Sequence, residues 1–126
     1  FRITGTELAT TGYLTSSEKL IASLPAGGII TNAAVVVNTA LAGASDITIS
    51  VGTVTGTATN LIASTDLDAL TKVAYNTGSA VDTEPGLINN TTAAIPVFAR
   101  FGGTVASLTG GEFTVALTIL DPGAIA

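Results

Sequence analysis

The sequence predicts an all-β fold, a single-domain jelly roll or β-sandwich that spans residues 1–126 and contains at most one short helix. Asp46–Val51 alternates polar and apolar residues, so a strand would place its three apolar side chains on one face. Val35–Val37 is a continuous β-branched run, typical of a strand packed on both faces. Segments of these two kinds recur at near-regular spacing between turns rich in Gly, Thr and Asn, which indicates a sandwich or jelly roll.

The segment between these two strands is small, polar and contains glycine. Asn38–Ser45 suits a turn or a longer connection from one sheet to the other. Gly52 then ends the second strand. Residues 33–52 therefore contain the two central predicted strands and their connection, and the other predicted elements are placed relative to them.

The N-terminal segment is expected to be an arm or an edge strand. Phe1–Thr11 begins with a short alternation and contains no run typical of a core. Residues 1–12 are the candidate N-terminal arm, because termini of this kind are often ordered only when a partner holds them.

The next segment fits two structures. Thr15–Glu18 has the pattern of a capping box, and apolar residues follow it at helical spacing. The same segment also fits a strand with Leu20, Ala22 and Leu24 on one face. Pro25 and two glycines end it within a dozen residues, which is short for a stable helix, so the strand is favoured.

One helix is predicted in the middle of the chain. Thr65–Asp68 has the composition of a helix N-terminus, and Asn76 or Gly78 would end the helix. Its inward residues would be Leu67, Leu70, Val73 and Ala74. Thr53–Asn60 before it is predicted to be a strand edge or exposed loop, and residues 78–92 a surface loop.

Two strands are predicted in the last third of the chain. Ile95–Phe101 alternates, and Pro96 favours a sheet edge at its start. Glu112–Leu120 is the closing strand, ended by the Asp-Pro-Gly sequence that follows it. Its predicted inner face consists of Phe113, Val115, Leu117 and Ile119.

Composition argues against most kinds of chemistry. The chain has a net charge of −5 and only four cationic residues, so it lacks a basic stripe for nucleic acid or an acidic membrane surface. It contains no cysteine and no histidine, the residues used most often as thiolate nucleophile, general base or transition-metal ligand. No Ser nucleophile motif or phosphate-binding loop is present. We therefore expect no enzyme activity, no catalytic residue and no cofactor.

The charged share of 10% is well below the usual ~25% and leaves little repulsion between neighbouring copies. Such a surface is suited to dense packing against other proteins, although a low-charge secreted domain has the same composition.

Two pairs of carboxylates are the candidate cation ligands. Asp66 with Asp68, and Asp82 with Glu84, are each spaced by one residue, which places both side chains on one side of a strand or open loop. Either pair could bind a hard cation such as calcium. No Asp-rich loop accompanies them, so a helix N-terminus and a solvated loop are the favoured interpretations, and no metal is expected. Two overlapping glycosylation sequons, at Asn89 and Asn90, are interpreted as accidental in a chain rich in Asn and Thr.

Several segments together resemble small structural proteins of tailed bacteriophages. They are Pro25-Ala26-Gly27 with Ile29-Ile30, the Val35–Val37 strand, Ile47–Gly52, and the closing strand Gly111–Leu120. The resemblance implies a jelly-roll-like capsid decoration or cement protein, located on the capsid surface of the virion and often trimeric. The implied partners are the major capsid protein of the same virion and two further copies of the chain.

Six residues are the candidate partner contacts under this hypothesis. Phe1, Arg2, Ile3 and Leu8 would act from the arm, and Phe98 and Arg100 from the outward face of their strand. One alternative is a head fibre or a tail component such as a knob or tube module. The other is a carbohydrate-binding β-sandwich module with Tyr13 or Tyr75 in the site, although aromatic residues are few.

Overall fold

The strands of the computed structural model form two antiparallel sheets. The structure describes residues 1–10, 18–44, 46–53, 60–67, 73–75 and 87–121. A short helix, α1 (Gly5–Leu8), and a 3₁₀ turn (Val105–Ser107) accompany the strands. The strands of this described part are β1 (Arg2–Thr4), β2 (Glu18–Leu24), β3 (Ile29–Ala42), β4 (Thr48–Gly52), β5 (Ile62–Asp66), β6 (Val73–Tyr75), β7 (Leu87–Ile88), β8 (Ile95–Gly102) and β9 (Gly110–Leu120).

The order of the strands is that of a jelly roll. The first sheet has the order β1-β9-β3-β6, with β7 also paired to β3, and the second sheet has the order β2-β8-β4-β5. The pairs β1–β9, β2–β8, β3–β6 and β4–β5 are nested one inside the next along the chain. A long hairpin of four nested pairs, rolled so that its pairs alternate between two sheets, is the jelly-roll topology. The predicted all-β sandwich or jelly roll is confirmed.

The core lies between the two sheets and follows the predicted alternation. Ile49 and Val51 of β4 are fully buried, as are Phe113 and Val115 of β9. The ring centroids of Phe113 and Phe101, one from each sheet, are 5.7 Å apart with the ring planes at 59°. This tilted pair joins the sheets at the centre of the core.

The N-terminal segment is part of the sandwich, which corrects the prediction of an arm for residues 1–10. Arg2–Thr4 pairs with β9, so the alternative of an edge strand is the one observed. Ile3 and Leu8 are almost fully buried in the core. Residues 11 and 12 lie outside the described part of the chain.

A capping box starts α1. The amide of Glu7 donates to the Thr4 hydroxyl, and the amide of Thr4 donates to the Glu7 carboxylate at 2.9 Å. This Thr-x-x-Glu signal was present in the sequence at residues 4–7, but the short alternation around it favoured an extended segment.

Replacing Thr4 with alanine removes one half of this box. Helix caps of this kind contribute about 1 kcal/mol, and we expect a loss of that size in the free energy of unfolding. Urea denaturation measures it. The control is Thr6→Ala, an exposed position in the same turn, for which no more than about 0.5 kcal/mol is expected. An equal effect of the two changes would contradict the role of the cap.

The predicted helix at residues 65–78 is wrong where the structure describes it. Ile62–Asp66 and Val73–Tyr75 are strands β5 and β6. The buried Leu67 between them donates its amide to the Ile47 carbonyl at 2.8 Å and accepts from the Leu41 amide at 3.0 Å. Leu67 therefore follows β5 in extended pairing between two segments, and pairing across the sandwich outweighed the local capping signal.

The predicted strand β2 is confirmed, but its faces are not those predicted. The pairing with β8 shifts between Leu20 and Ala22, so a β-bulge at Ile21 reverses the alternation. Leu24 is therefore buried, whereas Leu20 is 58% exposed.

Two further predictions concern strand limits. The predicted connection at residues 38–45 is wrong for its first half, because β3 continues to Ala42 and pairs with β9 as far as Gly110. Gly111 lies in this irregular stretch with a φ of 98°, and a Cβ there would be 2.6 Å from the Ala40 carbonyl oxygen. Pro96 pairs with Ser23 of β2, and in the described ranges the pairing of β8 with β4 begins at Phe98. The predicted edge at Pro96 stays a prediction, because residues 54–59, which follow β4, lie outside the described part of the chain.

Candidate interaction surfaces

The predicted outward face of β8 forms one candidate surface. Val97, Ala99 and Phe101 are buried, so the alternate residues Phe98 and Arg100 lie on the outer face of the second sheet. We call Glu18, Leu20, Phe98 and Arg100 the outer patch. They are cross-strand neighbours, with Leu20 opposite Phe98 and Glu18 opposite Arg100. The guanidinium of Arg100 donates to the buried Glu18 carboxylate at 3.4 Å.

The outer patch combines a large exposed leucine with a half-buried phenylalanine and a positioned arginine. Because Glu18 holds the Arg100 side chain, ordering that side chain in a complex would cost less conformational entropy. Aromatic residues and arginine are enriched among residues that dominate binding energy at protein interfaces. Whether the patch contacts a partner remains a prediction.

The four predicted contacts at the N-terminus differ in accessibility. Ile3 and Leu8 lie in the core and cannot contact a partner while the fold is intact. Phe1 is 37% exposed. Arg2 lies on the surface and forms an ion pair with Glu112 of β9. The hydrogen bond to Glu112 and its negative charge raise the pKa of Arg2, so this guanidinium stays charged throughout the ordinary pH range.

A second surface, not predicted from the sequence, lies on the outer face of the first sheet. Leu120 of β9, Ile29 of β3 and Ile88 of β7 are in register as one row across three strands. Leu120 and Ile88 are each 43% exposed, and Ile29 is half-buried. We call this row the end stripe. Three adjacent aliphatic side chains on an outer face form a contiguous apolar surface of the kind that marks protein contact sites.

The end stripe could not be found from the sequence, because its members come from distant segments. Ile29 and Ile88 lie next to turns, and Leu120 is the last residue of the predicted closing strand, so no single segment shows the row. Only the register between β3, β7 and β9 places them side by side, and register is set by pairing across the whole sheet.

The candidate cation ligands and the alternative sugar site gain no support. Asp66 ends β5 as an exposed residue, and Asp68, Asp82 and Glu84 lie outside the described residues. Among the residues that the structure describes, no group of three acidic, His or Cys side chains is placed to hold a metal ion. Tyr13 lies outside the described residues, and Tyr75 belongs to strand β6. In the same described ranges, no helix is long and apolar enough to cross a membrane.

Asn89, the first sequon asparagine, is fully buried and ties three segments together. Its side-chain amide donates to the carbonyl oxygens of Leu24, Pro25 and Ala93 at 2.9–3.1 Å. Its Oδ1 accepts from the amide and the hydroxyl of Thr91 at 3.0 and 2.6 Å. In the folded chain this asparagine is inaccessible to glycosylation and is a structural clip, which agrees with the interpretation of its sequon as accidental.

Comparison with known proteins gives one structural likeness. No protein-family model and no curated protein matches the chain. Among solved structures, it is similar to a chain of the capsid asymmetric unit of cyanophage Pam1, with a TM-score of 0.56 and 19% sequence identity. The likeness covers 94% of this chain and 79% of the phage chain. At this level of identity, the comparison establishes a shared fold.

Proposed function

We propose that this chain is a structural protein of a phage virion that binds the outer surface of the head as a decoration or cement protein. The observation that carries the proposal is the likeness to a chain of a phage capsid, which extends over nearly the whole jelly roll. The general proposal is a structural role in the capsid. The more specific proposals are that the chain lies on the outer surface, acts as a cement protein and assembles as a homotrimer.

The proposed mechanism is adhesive and requires no chemistry. The major capsid protein of the same virion would be the partner, and apolar surfaces such as the end stripe would cover junctions between its subunits. Only 10% of the residues in the chain are charged, so its surface loses little charge solvation when it packs against a shell. Many weak contacts repeated by capsid symmetry give a high avidity even where each contact is weak.

The first test is the mass of the isolated protein by light scattering, followed by co-sedimentation with empty capsids of the same virus that lack the chain. A trimer that saturates the shell at a fixed ratio to the capsid subunits supports the proposal. A monomer that does not sediment with capsids contradicts it. Binding to purified tails or to a glycan array would then favour the tail or carbohydrate-binding alternative.

Ile88→Asp tests whether the end stripe is the adhesive face. A carboxylate within a desolvated apolar contact is expected to weaken capsid binding about tenfold or more per copy. The matched control is Leu20→Asp, which places the same charge on the outer patch of the opposite sheet. Titration of capsids with each variant measures the effect. If Leu20→Asp is the variant that loses binding, the outer patch is the adhesive face and the assignment to the end stripe is wrong.

A further inference from the structure

The outer patch contains a leucine that a β-bulge turns away from the core. The pairing of β2 with β8 shifts at Ile21, so Leu20 falls opposite Phe98 on the outer face of the second sheet. Without the extra residue, Leu20 would share the face of Ala22 and Leu24, which pack against the core. Leu20 is instead 58% exposed, the largest exposed fraction among the large hydrophobic residues that the structure describes. Bulges recur in proteins where a side chain is aimed at a functional position.

The patch also contains an arginine that is held in place on the same face. The guanidinium of Arg100 donates to the Glu18 carboxylate at 3.4 Å, and the Glu18 side chain is only 6% exposed. The Arg100 side chain itself is 39% exposed. The charges of these two side chains cancel, so the outer patch is neutral in a chain whose net charge is −5. Two copies of an acidic chain repel each other, and a neutral apolar patch is where they can approach at the least electrostatic cost.

We infer that the outer patch packs against the outer patch of a second copy of the chain, about a two-fold axis that runs parallel to the strands between β2 and β8. This axis exchanges the positions of β2 and β8, so Leu20 lies over Phe98 of the second copy. In the same way, Arg100 lies over Glu18 of the second copy. Sheets that pack face to face in this aligned manner are about 10 Å apart, a gap that side chains of this size fill.

The patch is self-complementary in this arrangement. Its opposed positions give two Leu–Phe contacts and two Arg–Glu pairs, so no like charges lie directly opposite each other. The Glu18 carboxylate attracts the guanidinium of the second copy without a direct bond, and salt screens a buried charge less than an exposed one. Arg100 is already ordered by its own Glu18, so fixing its side chain in the contact costs less conformational entropy.

The size of the patch sets the strength of the contact. Stable interfaces bury about 800 Å² on each partner, and four residues cover less than this. We therefore expect the two copies to associate only at raised concentration. The contact does not depend on the proposed function; on a shell it would join copies from neighbouring trimers.

Sedimentation velocity of the isolated chain over a range of concentrations tests this inference. The mass found at low concentration is expected to double as the concentration rises. In Leu20→Asp, a carboxylate replaces the leucine of both Leu–Phe contacts, and we expect the dissociation constant of this step to rise about tenfold or more. The matched control is Ile88→Asp, which places the same charge on the end stripe of the other sheet and is expected to leave the step unchanged. No capsid is present, so failure here is distinct from failure of the proposed function.

Introduced thiols test the position of the two-fold axis. The chain has no cysteine, so Leu20→Cys and Phe98→Cys each place a single thiol on the outer face. In a mixture of these variants, oxidation is expected to form disulfides between unlike chains several-fold faster than between like chains, because only the unlike thiols lie directly opposite. A mass that does not change with concentration overturns the inference, since any occupant of the patch would then be another protein. A doubling of mass that survives Leu20→Asp, or equal rates for like and unlike chains, overturns it as well.

Discussion

Replacing Phe113 with alanine is expected to lower the free energy of unfolding by about 3–5 kcal/mol, the usual loss for a large aromatic residue in a core. Phe113 is fully buried in β9, and its ring contacts Phe101 of the opposite sheet. The truncation removes the contact between sheets and leaves a cavity that two rigid sheets cannot close. In a protein of this size, the melting temperature is expected to fall by about 10–20 °C.

Two further variants separate the causes of this loss. Phe113→Leu keeps most of the buried apolar area and removes the ring pair, so we expect a loss of only about 1–1.5 kcal/mol. Phe98→Ala is the control, because Phe98 lies on the outer face of the same strand as Phe101 and is half-buried. Calorimetry of the three variants ranks their losses in the free energy of unfolding. A loss in Phe98→Ala as large as that in Phe113→Ala would contradict the placement of the core between the sheets.

Strands with strict alternation were predictable from the sequence because burial on one face leaves a period of two. Residues 47–51 and 113–119 show this period, and the structure buries Ile47, Ile49, Val51, Phe113 and Val115. The predicted inner face is wrong at the end of β9, where Leu117 is half-buried and Ile119 is 36% exposed. The predicted fold class followed from several such segments. The nesting of strand pairs that defines the jelly roll is a matter of long-range pairing, which no local pattern contains.

Local signals were misleading where pairing between segments decided the structure. Residues 65–74 have a capping residue and apolar side chains at helical spacing, yet the described parts form two strands in different sheets. In β2 a single bulge at Ile21 placed Leu20 on the outer face. An extra residue in one strand of a pair leaves almost no trace in the sequence of that strand.

The candidate surfaces also differ in whether a local sequence pattern could predict them. The outward direction of Phe98 and Arg100 followed from alternation alone. The end stripe depends on the register of three strands, which no single segment shows. Burial of Ile3 and Leu8 was missed because the N-terminal segment is too short to show a period, and it is fixed by pairing with the last strand.

Asn89→Asp is the second change with a large expected effect. The Asn89 amide donates to three carbonyl oxygens in a fully buried site. An aspartate there would direct a carboxylate oxygen at the same three carbonyls, without the donors that they require. We expect a loss of about 3 kcal/mol or more in the free energy of unfolding at pH 7. The control is Asn90→Asp, the exposed neighbour, with an expected change of no more than about 0.5 kcal/mol.

The pH dependence distinguishes this effect from a loss of packing. Burial among carbonyl oxygens would raise the pKa of the new aspartate above its unfolded value of about 3.9. The folded variant then binds more protons than the unfolded chain, so its stability falls as the pH rises above about 4. Measured against the natural chain, the loss in Asn89→Asp should therefore be smaller at pH 3 than at pH 7, while Asn89→Ala should show a loss independent of pH. Equal losses at both pH values in Asn89→Asp would mean that the amide is not the donor to Leu24, Pro25 and Ala93. Asn89 would then stabilise the fold only through the packing of its side chain.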